Sequence, residues 1–139
     1  MRPSQRRRSG VRAIDTNVIV RFLVADDKEQ AAAARRAIED GDIFAPTTAL
    51  LESEWVLRSA YGFAPGQIVE SLRSFAGLPG VTVEGPALLA QVLDWTASGM
   101  DFADALHLAA AADCAVFLSF DAKLAKAAAG RSAVVVEAP

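Results

Sequence analysis

Cysteine and histidine each occur once in these 139 residues, as Cys114 and His107. A lone cysteine excludes an intramolecular disulfide and a cysteine-rich zinc site. A lone histidine excludes a multi-histidine centre within one chain, so any metal would rest mainly on carboxylates. No run of about 18 apolar residues exists, and no membrane-spanning segment is expected. A Gly-rich phosphate loop of the P-loop or Rossmann kind is missing, as is a GxSxG elbow.

Basic charge is also short, with 14 Lys and Arg against 17 Asp and Glu, a net charge of −3. Four of the 14, Arg2, Arg6, Arg7 and Arg8, fall in the opening MRPSQRRRSG, which holds no acid. Setting those four aside leaves 10 basic residues against 17 acidic ones, so the body carries −7. A body that acidic is not the usual electrostatic footprint of a nucleic-acid binder. Residues 1–10 read as a basic, disordered, solvated arm, and residues 11–139 as one domain long enough to bury a core. The arginine cluster resembles a signal n-region, but Asp15, Asn17 and Arg21 interrupt the apolar stretch that should follow. The expectation is a cytoplasmic protein.

What is present is a packed domain's composition, 53% hydrophobic and 22% charged. Strand and helix signals alternate. Short apolar runs at Val11 to Ile14, Ile43 to Ala45, Val81 to Val83, Ala115 to Ser119 and Ala133 to Val136 read as strands. Helices are expected between them: about Asn17 to Val24, KEQAAAARRAIED capped by Asp26 or Asp27, and ALLESEWVLRSAY capped by Thr47 or Thr48. Others run from Pro65 to about Phe75, over 86–98, over about 102–113 and through DAKLAKAAAG. Continuous apolar strands mark a parallel sheet buried on both faces. The fold class is therefore α/β, one three-layer α/β/α sandwich with a parallel sheet of about five strands.

Such sheets place ligands beyond the carboxyl ends of their strands. Asp15 follows the first strand and Asp121 the fourth, where each either caps the next helix or joins a site. Asp101 and Asp104 stand at i and i+3 at the start of an apolar helix, where Asp101 can cap and Asp104 needs a partner. Glu52 and Glu54 lie two apart, so at most one joins a shared cluster, and the helical wheel does not choose between them. His107 reads as a packed core residue, Cys114 as a small buried apolar one, and Trp55 and Trp95 as core or interface anchors.

The segments AIDTNVIVRFL, LLESEWVLRSAYG, DFADALHLAAA and LSFDAKLAK, in this order, resemble the PIN domain, and in particular the VapC-type toxins of toxin–antitoxin pairs. The resemblance covers about residues 11 to 136. It implies a PIN-like fold and a metal-dependent endoribonuclease, a toxin with an acidic Mg²⁺ or Mn²⁺ pocket. It implies catalytic roles for Asp15, Glu52, Asp104 and Asp121, with Asp15, Asp104 and Asp121 holding metal, and it selects Glu52 over Glu54. Thr16, Asn17, Asp101 and Ser119 fall where the family supports the pocket. Many members carry Asn before the fourth acid, where this chain has Phe120. The implied partners are an RNA substrate, a cognate antitoxin and a second copy in a homodimer, with no membrane.

Carboxylates without Cys or clustered His make a hard oxygen site suited to Mg²⁺ or Mn²⁺. Other acidic-rim folds fit less well. A phospho-receiver wants a Lys after its last strand, which VVVEAP lacks. A haloacid-type phosphatase wants D-x-D after its first strand, where DTN has Asn17. The alternative to the nuclease is a noncatalytic PIN-like module that binds RNA or protein.

Overall fold

Short strands and helices alternate along residues 10–139, which the computed structural model describes; the expectations for the arginines of the basic arm lie outside the described residues. The described chain divides into two compact units, the first ending at Pro86 and the second beginning at Ala87.

The first unit runs β1 (Arg12–Ala13), α1 (Thr16–Val24), α2 (Lys28–Glu39), β2 (Ile43–Ala45), α3 (Thr47–Ser59), α4 (Pro65–Ala76) and β3 (Val81–Val83). Its sheet has the order β1-β2-β3 with both pairings parallel: Arg12 opposes Ile43, and Ile43 opposes Val81. Parallel neighbours need crossover connections, and the helices supply them. α1 packs on α2 and α3, and α4 packs on α3 and β3. The core is built from Ile19, Ile43, Leu57, Ile68, Leu72 and Phe75, all fully buried.

Capping sets the helix starts. Asp15 accepts from Val18 N–H at 3.1 Å and opens α1; Asp27, not Asp26, accepts from Gln30 N–H at 3.0 Å and opens α2. The expected threonine cap of α3 is absent. Pro46 holds the cap position without a side-chain bond, and Thr47 N–H donates instead to Glu84 Oε1 at 2.8 Å. A carboxylate from the end of β3 thus satisfies a donor that the threonines were expected to cap.

The second unit runs α5 (Pro86–Ala97, its first residue at the boundary), α6 (Phe102–Ala110), β4 (Val116–Leu118), α7 (Ala122–Ala128) and β5 (Val135–Glu137). β4 and β5 pair in parallel, Val116 opposite Val135. Val92, Leu93, Phe102, Ala105, Leu108 and Leu124 are buried.

The class is the expected α/β one, and the five expected strands are present, hydrogen-bonded as a group of three and a group of two. Burial on both faces holds for β2 but not for β4 and β5. In these two, Val116, Leu118 and Val135 are exposed while Phe117 and Val136 are half-buried. The apolar run hides a period-two alternation in which the outward residues are themselves apolar. Cys114 and His107 are exposed rather than buried, because α6 ends at Ala110 and His107 lies off its Phe102–Ala105–Leu108 face. The His107 ring sits 6.3 Å from that of Phe117. Trp55 is exposed and Trp95 half-buried. Among the described residues no helix is long and apolar enough to cross a membrane.

Candidate active site

β1 and β2 are parallel neighbours, so the segments leaving their carboxyl ends emerge on the same side. There the chain forms a cleft of about 450 Å³ whose lining includes Asp15, Thr16, Asn17 and Glu52. Asp15 Oδ1 is committed to capping α1, which leaves Oδ2 without a hydrogen bond among the described residues. The Thr16 hydroxyl donates to Ala49 O at 3.4 Å and ties the start of α1 to the first turn of α3. This contact holds the helix bearing Glu52 against the helix that Asp15 opens. Asn17 is exposed on the cleft wall.

The two glutamates of α3 part company. Glu52 is exposed and lines the cleft. Glu54 is buried and receives Arg58 Nε at 2.9 Å, an i,i+4 ion pair.

In the second unit, Asp101 opens α6 by accepting from Asp104 N–H at 3.0 Å. Asp104 is half-buried and its carboxyl makes no hydrogen bond among the described residues. Burial, followed by the charges of Asp101 and Asp121, pushes its carboxyl above the ordinary carboxylate value. Asp121 Oδ1 accepts from Lys123 N–H at 2.9 Å and from Leu124 N–H at 3.4 Å, opening α7. Ser119 Oγ accepts from Asp121 N–H at 3.0 Å and fixes the turn from β4 into that helix. Phe120 is almost fully exposed.

The structure thus gathers Asp15, Thr16, Asn17 and Glu52 in one unit, and in the other places Asp101 and Asp121 within electrostatic reach of Asp104. Among the described residues no three Asp, Glu, His or Cys side chains are grouped so as to hold a metal ion. The donor chemistry nonetheless fits a hard divalent cation. Among the described residues, Asp15 in the first unit keeps one carboxylate oxygen free of hydrogen bonds; in the second, Asp121 keeps one and Asp104 both, and like charge around Asp104 is relieved by a cation.

Two cleft residues escape sequence reasoning. Arg21 and Tyr61 line the same cleft as Asp15 and Glu52. Arg21 Nε donates to Gln30 Oε1 at 2.7 Å, and its Nη1 donates to Asp26 Oδ1 and to Tyr61 Oη, each at 3.1 Å. The Tyr61 hydroxyl donates in turn to Asp26 Oδ2 at 2.8 Å. That hydroxyl, ahead of the Arg21 charge, holds the Asp26 carboxyl below its ordinary value. The only sequence signal was helical spacing, since Arg21 follows Asn17 by four residues and so shares its face.

The PIN domain family profile matches residues 13–130, running across both units. No curated protein and no solved structure matches the chain.

Proposed function

The chain belongs to the PIN-domain family, whose members are generally metal-dependent nucleases, and on that footing we propose that it is an endoribonuclease. We assign its cleavage to Mg²⁺ or Mn²⁺ and its biological role to the toxin of a toxin–antitoxin pair acting on cytoplasmic RNA. The observation that carries the reading is the cleft at the carboxyl end of β1 and β2, where Asp15 Oδ2 and the Glu52 carboxylate have no hydrogen-bond partner among the described residues.

Asp15, Asp104 and Asp121 are the residues assigned to hold the cation. Asp15 and Asp121 would do so through the oxygen not used in capping, so that each helix start fixes a ligand's direction. When bound, a divalent cation screens the phosphate's charge, lowers the pKa of attacking water and stabilises the leaving oxygen. Glu52, exposed and without an ion pair among the described residues, is assigned to accept a proton from water at Oε1 or Oε2. Thr16, Ser119 and Asp101 are positioning residues. Through the contacts with Ala49 O, Asp121 N–H and Asp104 N–H they hold the backbone beneath the acids. Asn17 offers an amide to the strand.

The toxin role rests on the four VapC-like segments. It brings with it a homodimer and a small antitoxin whose arginine would pair bidentately with the free carboxylates. The test is cleavage of single-stranded RNA. Activity is expected with Mg²⁺ or Mn²⁺ and is lost in EDTA, and Asp15→Asn and Asp104→Asn each remove most of it. Activity that survives thorough chelation overturns the metal mechanism. Light scattering at micromolar concentration checks the dimer, and a monomer there counts against it.

A further inference from the structure

We infer that Arg21 and Tyr61 form a subsite for single-stranded RNA on the wall of the cleft that holds Asp15 and Glu52, with the guanidinium taking a phosphate beside the scissile one and the ring taking a base. The inference rests on the nuclease reading and names the parts of the cleft that grip the strand.

An acidic cleft repels a polyanion, so something on its wall must attract the strand. Among the described residues, Arg21 is the cation that lines it. Neither Asp15 nor Glu52 captures this side chain; its ion pair goes to Asp26, a half-exposed residue of the α1–α2 turn that is not among the cleft's lining residues. Three hydrogen bonds, to Gln30, Asp26 and Tyr61, immobilise Nε and Nη1. Nη2 makes no hydrogen bond among the described residues, so its two N–H groups remain for a ligand. A planar guanidinium held in place binds phosphate oxygens with little further loss of side-chain freedom.

Tyr61 complements it. Its hydroxyl is held at both ends, accepting from Arg21 and donating to Asp26, which fixes the ring beside the guanidinium. The ring is half-buried and lines the cleft. Aromatic faces of this kind stack unpaired bases, and single-stranded RNA is read in that way. Spacing agrees. Arg21 lies six residues beyond Asp15, about 9 Å along the helix axis, which one to three nucleotides span at a rise of at least about 3.4 Å each.

The experiment is fluorescence anisotropy with a labelled single-stranded RNA dodecamer, titrated in Ca²⁺ at several salt concentrations, with a thermal melt of each variant. Arg21→Gln is expected to weaken binding about tenfold and to lower the slope of log affinity against log salt by about 0.7, the loss of one phosphate contact. Tyr61→Leu weakens binding about tenfold, a value within the range for one stacked base, whereas Tyr61→Phe keeps most of it. Asp26→Asn keeps an oxygen to accept from Arg21 Nη1 and removes only the negative charge that offsets the guanidinium, so it strengthens binding at low salt. A purely structural network would instead lose affinity on that change and would leave the salt slope unmoved.

Unaltered affinity and slope in a folded Arg21→Gln protein overturn the subsite, and so does weaker binding by Asp26→Asn. Should Arg21→Gln fail to fold, Asp26→Asn and Tyr61→Leu decide. RNA binding with these dependences but no cleavage overturns the nuclease reading and leaves the subsite standing. Cleavage with unaltered binding in all variants overturns the subsite alone, and a wild type that binds no RNA overturns both.

Discussion

Glu52 and Glu54 stand two residues apart on α3 and meet opposite surroundings, one in the cleft with Asp15 and one buried against Arg58. Their substitutions should therefore separate activity from stability. Glu52→Gln is expected to lower the cleavage rate by about 10²-fold or more, the usual worth of a positioned general base, with the melt unchanged. Glu54→Gln should leave the rate within a few-fold and cost about 1 kcal/mol or less, since Arg58 is half-exposed and the pair is screened. Single-turnover rates and urea unfolding of both variants check this, and the reverse pattern would overturn the choice of Glu52. Helical periodicity could not make that choice, because it gives relative faces and not which face meets the cleft. Asp15 and Asp121 were legible as caps because a helix start follows the end of each parallel strand, and in the structure both carboxylates do cap. Arg21 and Tyr61 were not legible. They lie 40 residues apart in sequence and meet only through the packing of α1 against α3.

Elements that depend on local signals matched their expectations to within a few residues. α2 and α4 start where an aspartate cap and Pro65 place them, and β2 and β3 fall on Ile43–Ala45 and Val81–Val83. What local signals could not supply was how strands share faces, hence the exposed Val116, Leu118 and Val135. The β2–β3 pairing depends on a close approach of this non-local kind. Gly80 has φ +79°, and a Cβ there would stand 2.8 Å from the Cα of Gly41, in the turn that leads into β2. Ile43 N–H donates to Gly80 O at 2.8 Å across the same contact. Gly80→Ala should thus add a steric clash to the cost of a left-handed backbone, about 1–2 kcal/mol by itself. Gly62 has φ +67° with nothing within 4 Å of its virtual Cβ, so Gly62→Ala isolates the backbone cost. The expected outcome in urea denaturation is a larger loss for Gly80→Ala than for Gly62→Ala. Equal losses would mean that the two turns do not press on each other.

At the scale of the whole molecule the acids set the electrostatics. The chain carries −3, and without the four arginines of residues 1–10 it carries −7. Deleting residues 2–8 should preserve turnover at saturating RNA while weakening RNA binding and its salt dependence; loss of turnover in that assay would assign those residues to the chemistry. The stability of the folded protein should carry the mark of the same acidity. The carboxyl of Asp104 is raised above its ordinary value by burial and by the charges of Asp101 and Asp121. Between the ordinary and the raised value the folded chain binds more protons than the unfolded one. The contribution of this group to metal-free stability therefore falls as pH rises through that window and is flat above it. Asp104→Asn removes the titrating group, so it should flatten that fall and raise the metal-free melting temperature at neutral pH while abolishing cleavage. A cation bound only by the folded state reverses the cost, stabilising wild type by about 2.7 kcal/mol at a hundredfold excess over its dissociation constant. The Asn variant, lacking one proposed ligand, should gain much less. Thermal melts of both proteins from acid to neutral pH, with EDTA and then with Mn²⁺, read all of these effects together. A wild-type melting temperature that rises with pH relative to that of Asp104→Asn in EDTA would contradict the assigned sign, and equal Mn²⁺ shifts in the two proteins would remove Asp104 from the metal site.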